Sequence, residues 1–157
     1  YQDYEVTKKH ILSLRKFVES NIKKKTLTHI DAVPDNFMIQ ILENGKQDIR
    51  LIDWEYAGMQ DPDLDIAMFS IYSLYEREQI DNLISIYYEN KVDLVTKYKI
   101  YAYVAIAGLL WSNWCEYKRL LGVDFGEYSL KQYRYAKVYY RIVQEEFLSH
   151  QKGEKDE

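Results

Sequence analysis

The sequence predicts an α+β fold, mostly α-helical, with one small β-hairpin. Three observations lead to it. Apolar residues recur at helical spacing at both ends of the chain, the period changes to strand-like in between, and two short apolar runs there flank Glu43-Asn44-Gly45-Lys46. With 157 residues, 47% hydrophobic and 29% charged, the chain has the material for one ordinary domain or part of a larger one.

Val6, Ile11, Leu14, Phe17 and Val18 alternate with charged positions at helical spacing and predict an amphipathic helix over 5–20, ended by Asn21 to Lys25. The runs Phe37 to Leu42 and Ile49 to Trp54 predict a hairpin within 37–54, since Asn-Gly is a strong turn signal. A two-residue turn at Asn44-Gly45 sets Asn36 opposite Asp53 at the open end. After Gly58, the segment Met59-Gln60-Asp61-Pro62-Asp63 reads as a loop, with Pro62 suited to an early helical position. A helical subdomain over 62–149 follows, with helices near 64–75, 77–90, 94–120 and, after the Gly122 to Gly126 break, 129–149. A frayed, charged tail is expected at 150–157.

Composition removes several function classes. The formal charge is −4, from 21 basic and 25 acidic residues, and no basic stripe is interleaved with stacking aromatics, so nucleic acid is not an expected partner. The run Lys23, Lys24 and Lys25 reads as a solvated helix end. A single cysteine, Cys115, rules out an internal disulfide and a cysteine metal cluster, in keeping with a cytoplasmic location. No apolar stretch approaches membrane-spanning length, so no membrane partner is expected. The first residue is Tyr1 rather than Met, which raises the expectation of a chain cut from something longer.

The chemistry-bearing residues fall together. One short loop, 29–36, brings His29, Asp31 and Asn36 to the mouth of the hairpin, near Asp53. Two carboxylates and an amide oxygen are hard ligands of the kind magnesium takes. A carboxylate beside a metal-bound phosphate can orient or deprotonate an attacking hydroxyl. The same residues also suit plainer tasks: Asp31 and Asp35 as loop caps, His29 on a backbone carbonyl, and Asp53 as a strand end.

The run His29-Ile30-Asp31-Ala32-Val33-Pro34-Asp35-Asn36 resembles the catalytic loop of the aminoglycoside phosphotransferase and choline kinase superfamily. Leu51-Ile52-Asp53-Trp54-Glu55-Tyr56-Ala57 resembles its metal-binding segment, in the choline and ethanolamine kinase version. The resemblance implies the C-terminal lobe of a protein-kinase-like phosphotransferase over 1–157, with ATP as co-substrate. It gives Asp31 the role of base or hydroxyl-orienting residue, His29 that of loop brace, and Asn36 and Asp53 those of magnesium ligands. Asp65 would support the loop from the next helix, and Glu55 would lie on the substrate side. Ile30 stands where Gly or Asn is usual.

Trp111 and Trp114 resemble the Trp-rich helix of choline kinases, and Phe125-Gly126-Glu127-Tyr128 the segment after it. With Trp54, Tyr56 and Tyr128 these imply an aromatic pocket for a quaternary ammonium, and phosphocholine as product. Ordinary helix packing of Trp111 and Trp114 is the competing use. Ethanolamine, an amino sugar or an aminoglycoside are the alternative acceptors, and a binding module without catalysis is a further alternative. The family's ATP-clamping N-terminal lobe has no counterpart here, because one helix precedes the loop and no Gly-x-Gly-x-x-Gly run is present. The chain alone is therefore expected to be inactive and, with that interface exposed, to self-associate.

Overall fold

The computed structural model describes residues 1–150. Its elements are α1 (Tyr4–Ser13), α2 (Arg15–Ser20), β1 (Thr26–Thr28), a 3₁₀ turn (Pro34–Asn36), β2 (Phe37–Ile41), β3 (Gln47–Leu51), β4 (Gly58–Gln60), α3 (Asp63–Tyr72), α4 (Arg77–Tyr87), α5 (Leu94–Leu120) and α6 (Tyr128–Val143). A π-helical turn, Gln144–Leu148, continues α6. The expected tail falls, from 151 on, outside the described residues.

The long helix α5 is the axis of the core. Its start is fixed by Asp93, whose side chain accepts from the Thr96 amide at 2.8 Å, and Lys118 and Arg119 lie in its last turn, where cations suit the helix dipole. Ile100, Tyr101, Ala102, Val104 and Ala105 on α5 are fully buried, in one cluster with Ala67 and Ile71 of α3, Ile80 and Ile84 of α4, and Ala136 and Val143 of α6. At Gly108 the α5 and α6 backbones approach so closely that an added Cβ would lie 2.7 Å from the Gln132 carbonyl oxygen and 2.7 Å from the Tyr135 Cβ. No side chain fits there, so Gly108 is a packing residue of the α5–α6 seam.

Two small antiparallel pairs sit beside this helical body. In one, β1 pairs with β4, Thr28 opposite Gly58; in the other, β2 pairs with β3, Phe37 opposite Leu51. The first pair brings the entrance of the 29–36 loop beside the exit of the 53–57 segment.

Three expectations need correction. The single helix over 5–20 is two helices, because the Leu14 amide bonds to Ile11 in a 3₁₀ step while the Ser13 hydroxyl takes the His10 carbonyl. The hairpin turn has three residues, Glu43, Asn44 and Gly45, with Gly45 at φ 77° and Leu42 bonded to Lys46. That extra residue shifts the register by one, so Asn36 meets Ile52, whose amide bonds to the Asn36 carbonyl at 2.9 Å, and not Asp53. Met59 and Gln60 are not loop but strand, paired with Leu27 and Thr26. The last helix runs through 149 as expected, with α geometry giving way to a π turn over Gln144–Leu148.

Candidate active site

The 29–36 loop is held by a carboxylate from α3. Asp65 accepts from the amides of His29, at 3.0 Å, and Ile30, at 2.7 Å, one with each oxygen. Ile30 has φ 72°, a left-handed conformation that costs a β-branched residue about 1–3 kcal/mol. The two charge-assisted bonds at and beside it offset that cost, and so permit Ile at a position where a small or polar residue would relax more easily.

His29, buried, spans the loop and the hairpin exit: its Nε2–H donates to the Ile52 carbonyl at 2.8 Å, and its Nδ1 is buried with no partner. Trp54 meets the His29 ring edge-on, with centroids 4.7 Å apart, and its indole N–H turns back to the Leu51 carbonyl at 2.9 Å. The ring thus braces the strand end.

Asn36 faces Asp31. Its amide nitrogen donates to the Asp31 carbonyl at 2.8 Å and to the Asp31 carboxylate at 3.3 Å, which leaves the amide oxygen as its open end. One step beyond Asn36's ladder partner, Asp53 turns out of the strand with φ 63°, and among the described residues its carboxylate has no hydrogen-bond or ion-pair partner. An open amide oxygen and an unpaired carboxylate fit a hard divalent cation. Among the described residues no cluster of three or more His, Cys, Asp and Glu side chains could hold a metal by itself. Two protein oxygens completed by water and phosphate are the usual arrangement for magnesium.

The surroundings are acidic. The Tyr56 phenol is held above its ordinary pKa, first by the Glu55 carboxylate and further by Asp31 and Asp53. Tyr72, near the end of α3, has a buried hydroxyl without an aligned hydrogen bond; burial and then the adjacent Asp31 carboxylate raise its pKa strongly. Its ring meets Trp111 edge-on at 4.9 Å, Trp111 stacks on Trp114 at 5.2 Å, and Trp114 leads to Phe125 at 5.3 Å. Phe125 adjoins Tyr128, whose phenol burial pushes up to about 12. Aromatic rings therefore run from Tyr72 to the rim, where Trp114 is 37% exposed and carries the Lys118 ammonium 5.3 Å from its ring centroid.

The structure gathers Asp31, His29, Asn36 and Asp53, with Asp65 behind them, and it sets Tyr72, Trp111, Trp114, Phe125 and Tyr128 in one row of ring contacts. Trp54 stands apart from this aromatic row, on His29. Sequence reasoning missed Tyr72. The available signal was its place seven residues after Asp65, on the same face of α3.

Two concave features lie elsewhere. A groove of about 1020 Å³ between α1 and α6 shares no lining residue with this cleft. A smaller one of about 350 Å³ borders a buried ion cluster in which the Lys99 ammonium donates to Asp61 at 2.5 Å and to the Asn21 carbonyl at 3.1 Å. The same ammonium lies 3.0 Å from Asp63. Tyr103 and Tyr88 donate to Asp61 and Asp63 respectively.

Residues 2–93 match the choline/ethanolamine kinase family. Protein LicA of Haemophilus influenzae is 31% identical over 112 residues, covering 66% of this chain and 39% of that protein. The crystal structure of LicA in complex with AMP superposes with a TM-score of 0.73 at 30% identity, over 91% of this chain and 48% of that one. Choline kinase LicA from Streptococcus pneumoniae superposes with a TM-score of 0.70 at 29% identity, over 89% and 48%. The chain thus spans about half the length of these relatives or less, and its architecture is that of the C-terminal lobe of a protein-kinase-like phosphotransferase.

Proposed function

The chain belongs to the choline/ethanolamine kinase family, and from that membership we propose that it is the acceptor-binding lobe of an ATP-dependent kinase acting on choline. The observation that carries this reading is the unbroken row from Asp31 through Tyr72 to Trp111 and Trp114. A trimethylammonium group against stacked indoles gains cation–π attraction, and the acidic surface near Glu55 favours the same charge. A short amino alcohol held there by its head presents its hydroxyl toward Asp31.

In this mechanism Asp31 orients the hydroxyl and accepts its proton as the oxygen attacks the γ-phosphorus of ATP. As that new bond forms, the one from the γ-phosphorus to the ADP oxygen breaks, which leaves phosphocholine, ADP and a protonated Asp31. His29 and Asp65 hold the loop so that the Asp31 carboxylate does not have to reorganise. Asn36 and Asp53 would hold Mg²⁺, which when bound neutralises phosphate charge. The nucleotide is clamped by a second lobe, for which the hairpin offers an apolar seat: Met38, Ile39, Ile41 and Ile49 are all more than half exposed. By this account the 157 residues alone bind magnesium weakly and turn over choline negligibly.

Calorimetric titration of choline against its neutral carbon isostere tests the acceptor. Choline is expected to bind more tightly, and Trp111→Leu or Trp114→Leu to weaken it by about 0.5–2 kcal/mol with an unchanged melting temperature. Equal binding of both ligands, or affinity lost only in variants that have partly unfolded, would turn the assignment toward ethanolamine, an amino sugar or an aminoglycoside.

A further inference from the structure

Tyr72 lies where the two halves of the cleft meet. Its ring is edge-on to Trp111, at the base of the aromatic row. Its hydroxyl is out of contact with solvent and lacks an aligned partner, although the Asp31 carboxylate is beside it. A buried hydroxyl left unpaired costs about 1–3 kcal/mol, so a hydroxyl kept at this position needs a use. Phenylalanine would fill the same space against Trp111 without that cost.

We propose that Tyr72 is a positioning residue of the phosphotransfer: its O–H donates to one oxygen of Asp31 and so presents the other to the acceptor's hydroxyl. This rests on the phosphotransfer reading above. The Tyr72 ring, packed against Trp111 at 4.9 Å, holds the phenol in place beside Asp31. One rigid side chain thereby links the surface that takes the acceptor's head to the carboxylate that meets its hydroxyl. In the reaction the acceptor oxygen bonds to phosphorus as the bond from phosphorus to the ADP oxygen breaks. The acceptor's proton passes to the Asp31 oxygen that Tyr72 does not occupy. Tyr72 keeps its own proton throughout, in keeping with a phenol whose pKa is driven upward by burial and by Asp31.

The test compares Tyr72→Phe, Tyr72→Leu and Asp31→Asn in the full-length protein that carries this chain, by steady-state kinetics with choline and by thermal melts. Tyr72→Phe is expected to lower kcat about tenfold, the size of one hydrogen bond, with KM for Mg-ATP unchanged and no fall in melting temperature. Tyr72→Leu should show the same loss in kcat and melt earlier. Wild-type kcat in Tyr72→Phe beside an inactive Asp31→Asn would overturn the proposal and leave the phosphotransfer reading standing. Full turnover in Asp31→Asn would remove that reading, and the proposal with it.

Discussion

Asp61 and Asp65, at the start of α3, have both oxygens hydrogen-bonded, by Lys99, Tyr103 or backbone amides, and Asp63 between them takes the Tyr88 hydroxyl on one oxygen and lies 3.0 Å from the Lys99 ammonium with the other. Asp31 and Asp53, in the loop and strand end that this segment supports, are differently placed. Asp31 receives one long bond from Asn36, and Asp53 has no protein partner among the described residues. The residue type is the same in both regions. A carboxylate whose lone pairs are all used is a structural joint, because moving it would break several charge-assisted bonds at once. One left with open lone pairs can receive a proton or a cation. The saturated group makes the open group possible, since the left-handed Ile30 between His29 and Asp31 is held in place by Asp65.

This contrast breaks most sharply at Asp31. Asp31→Asn should lower phosphotransfer by about 10²–10⁴-fold, the usual worth of a positioned base, with the melting temperature essentially retained. Steady-state rates and a thermal melt check both halves of the statement, and a variant of near-normal turnover would return Asp31 to the structural group.

Lys99→Met is the reciprocal experiment. It leaves Asp61 and Asp63 buried without their cation and should cost about 3–5 kcal/mol of stability. Urea denaturation measures it. A loss of activity at 25 °C beyond the unfolded fraction would mean that the ion cluster reaches the cleft. An intermediate case is Asp65→Asn, which sets an amide –NH₂ against a backbone amide that wants an acceptor. It should cost about 1.5–3 kcal/mol and also lower kcat, because stability and the loop's geometry pass through one side chain. Loss of stability without loss of rate would separate the loop from its clamp.

Much of the site was legible because it is local. His29, Asp31 and Asn36 share one loop, and Asp53 follows one hairpin later, so short spacings suffice to bring them near each other. The register was not legible, because it depends on whether the turn holds two residues or three, and Asn44-Gly45 permits both. The pairing of β1 with β4 escaped for a different reason: strands of three residues carry no measurable alternation. Gly108 carries no local signal of its role, whereas in the fold it is the contact point of α5 with α6.

What the sequence by itself determined is therefore the helical frame, the hairpin and the nearness of His29, Asp31, Asn36 and Asp53, all consequences of periodicity and of motifs within a few residues of each other. Only the tertiary structure decided that Tyr72 of α3 packs on Trp111 of α5, that Lys99 binds two aspartates of a distant segment, and that Trp54 braces His29 instead of joining the aromatic row. Helical spacing fixes which side chains share a face, but which faces meet is set by the packing of α3 and α6 on α5. That packing depends on the shapes of side chains far apart in sequence.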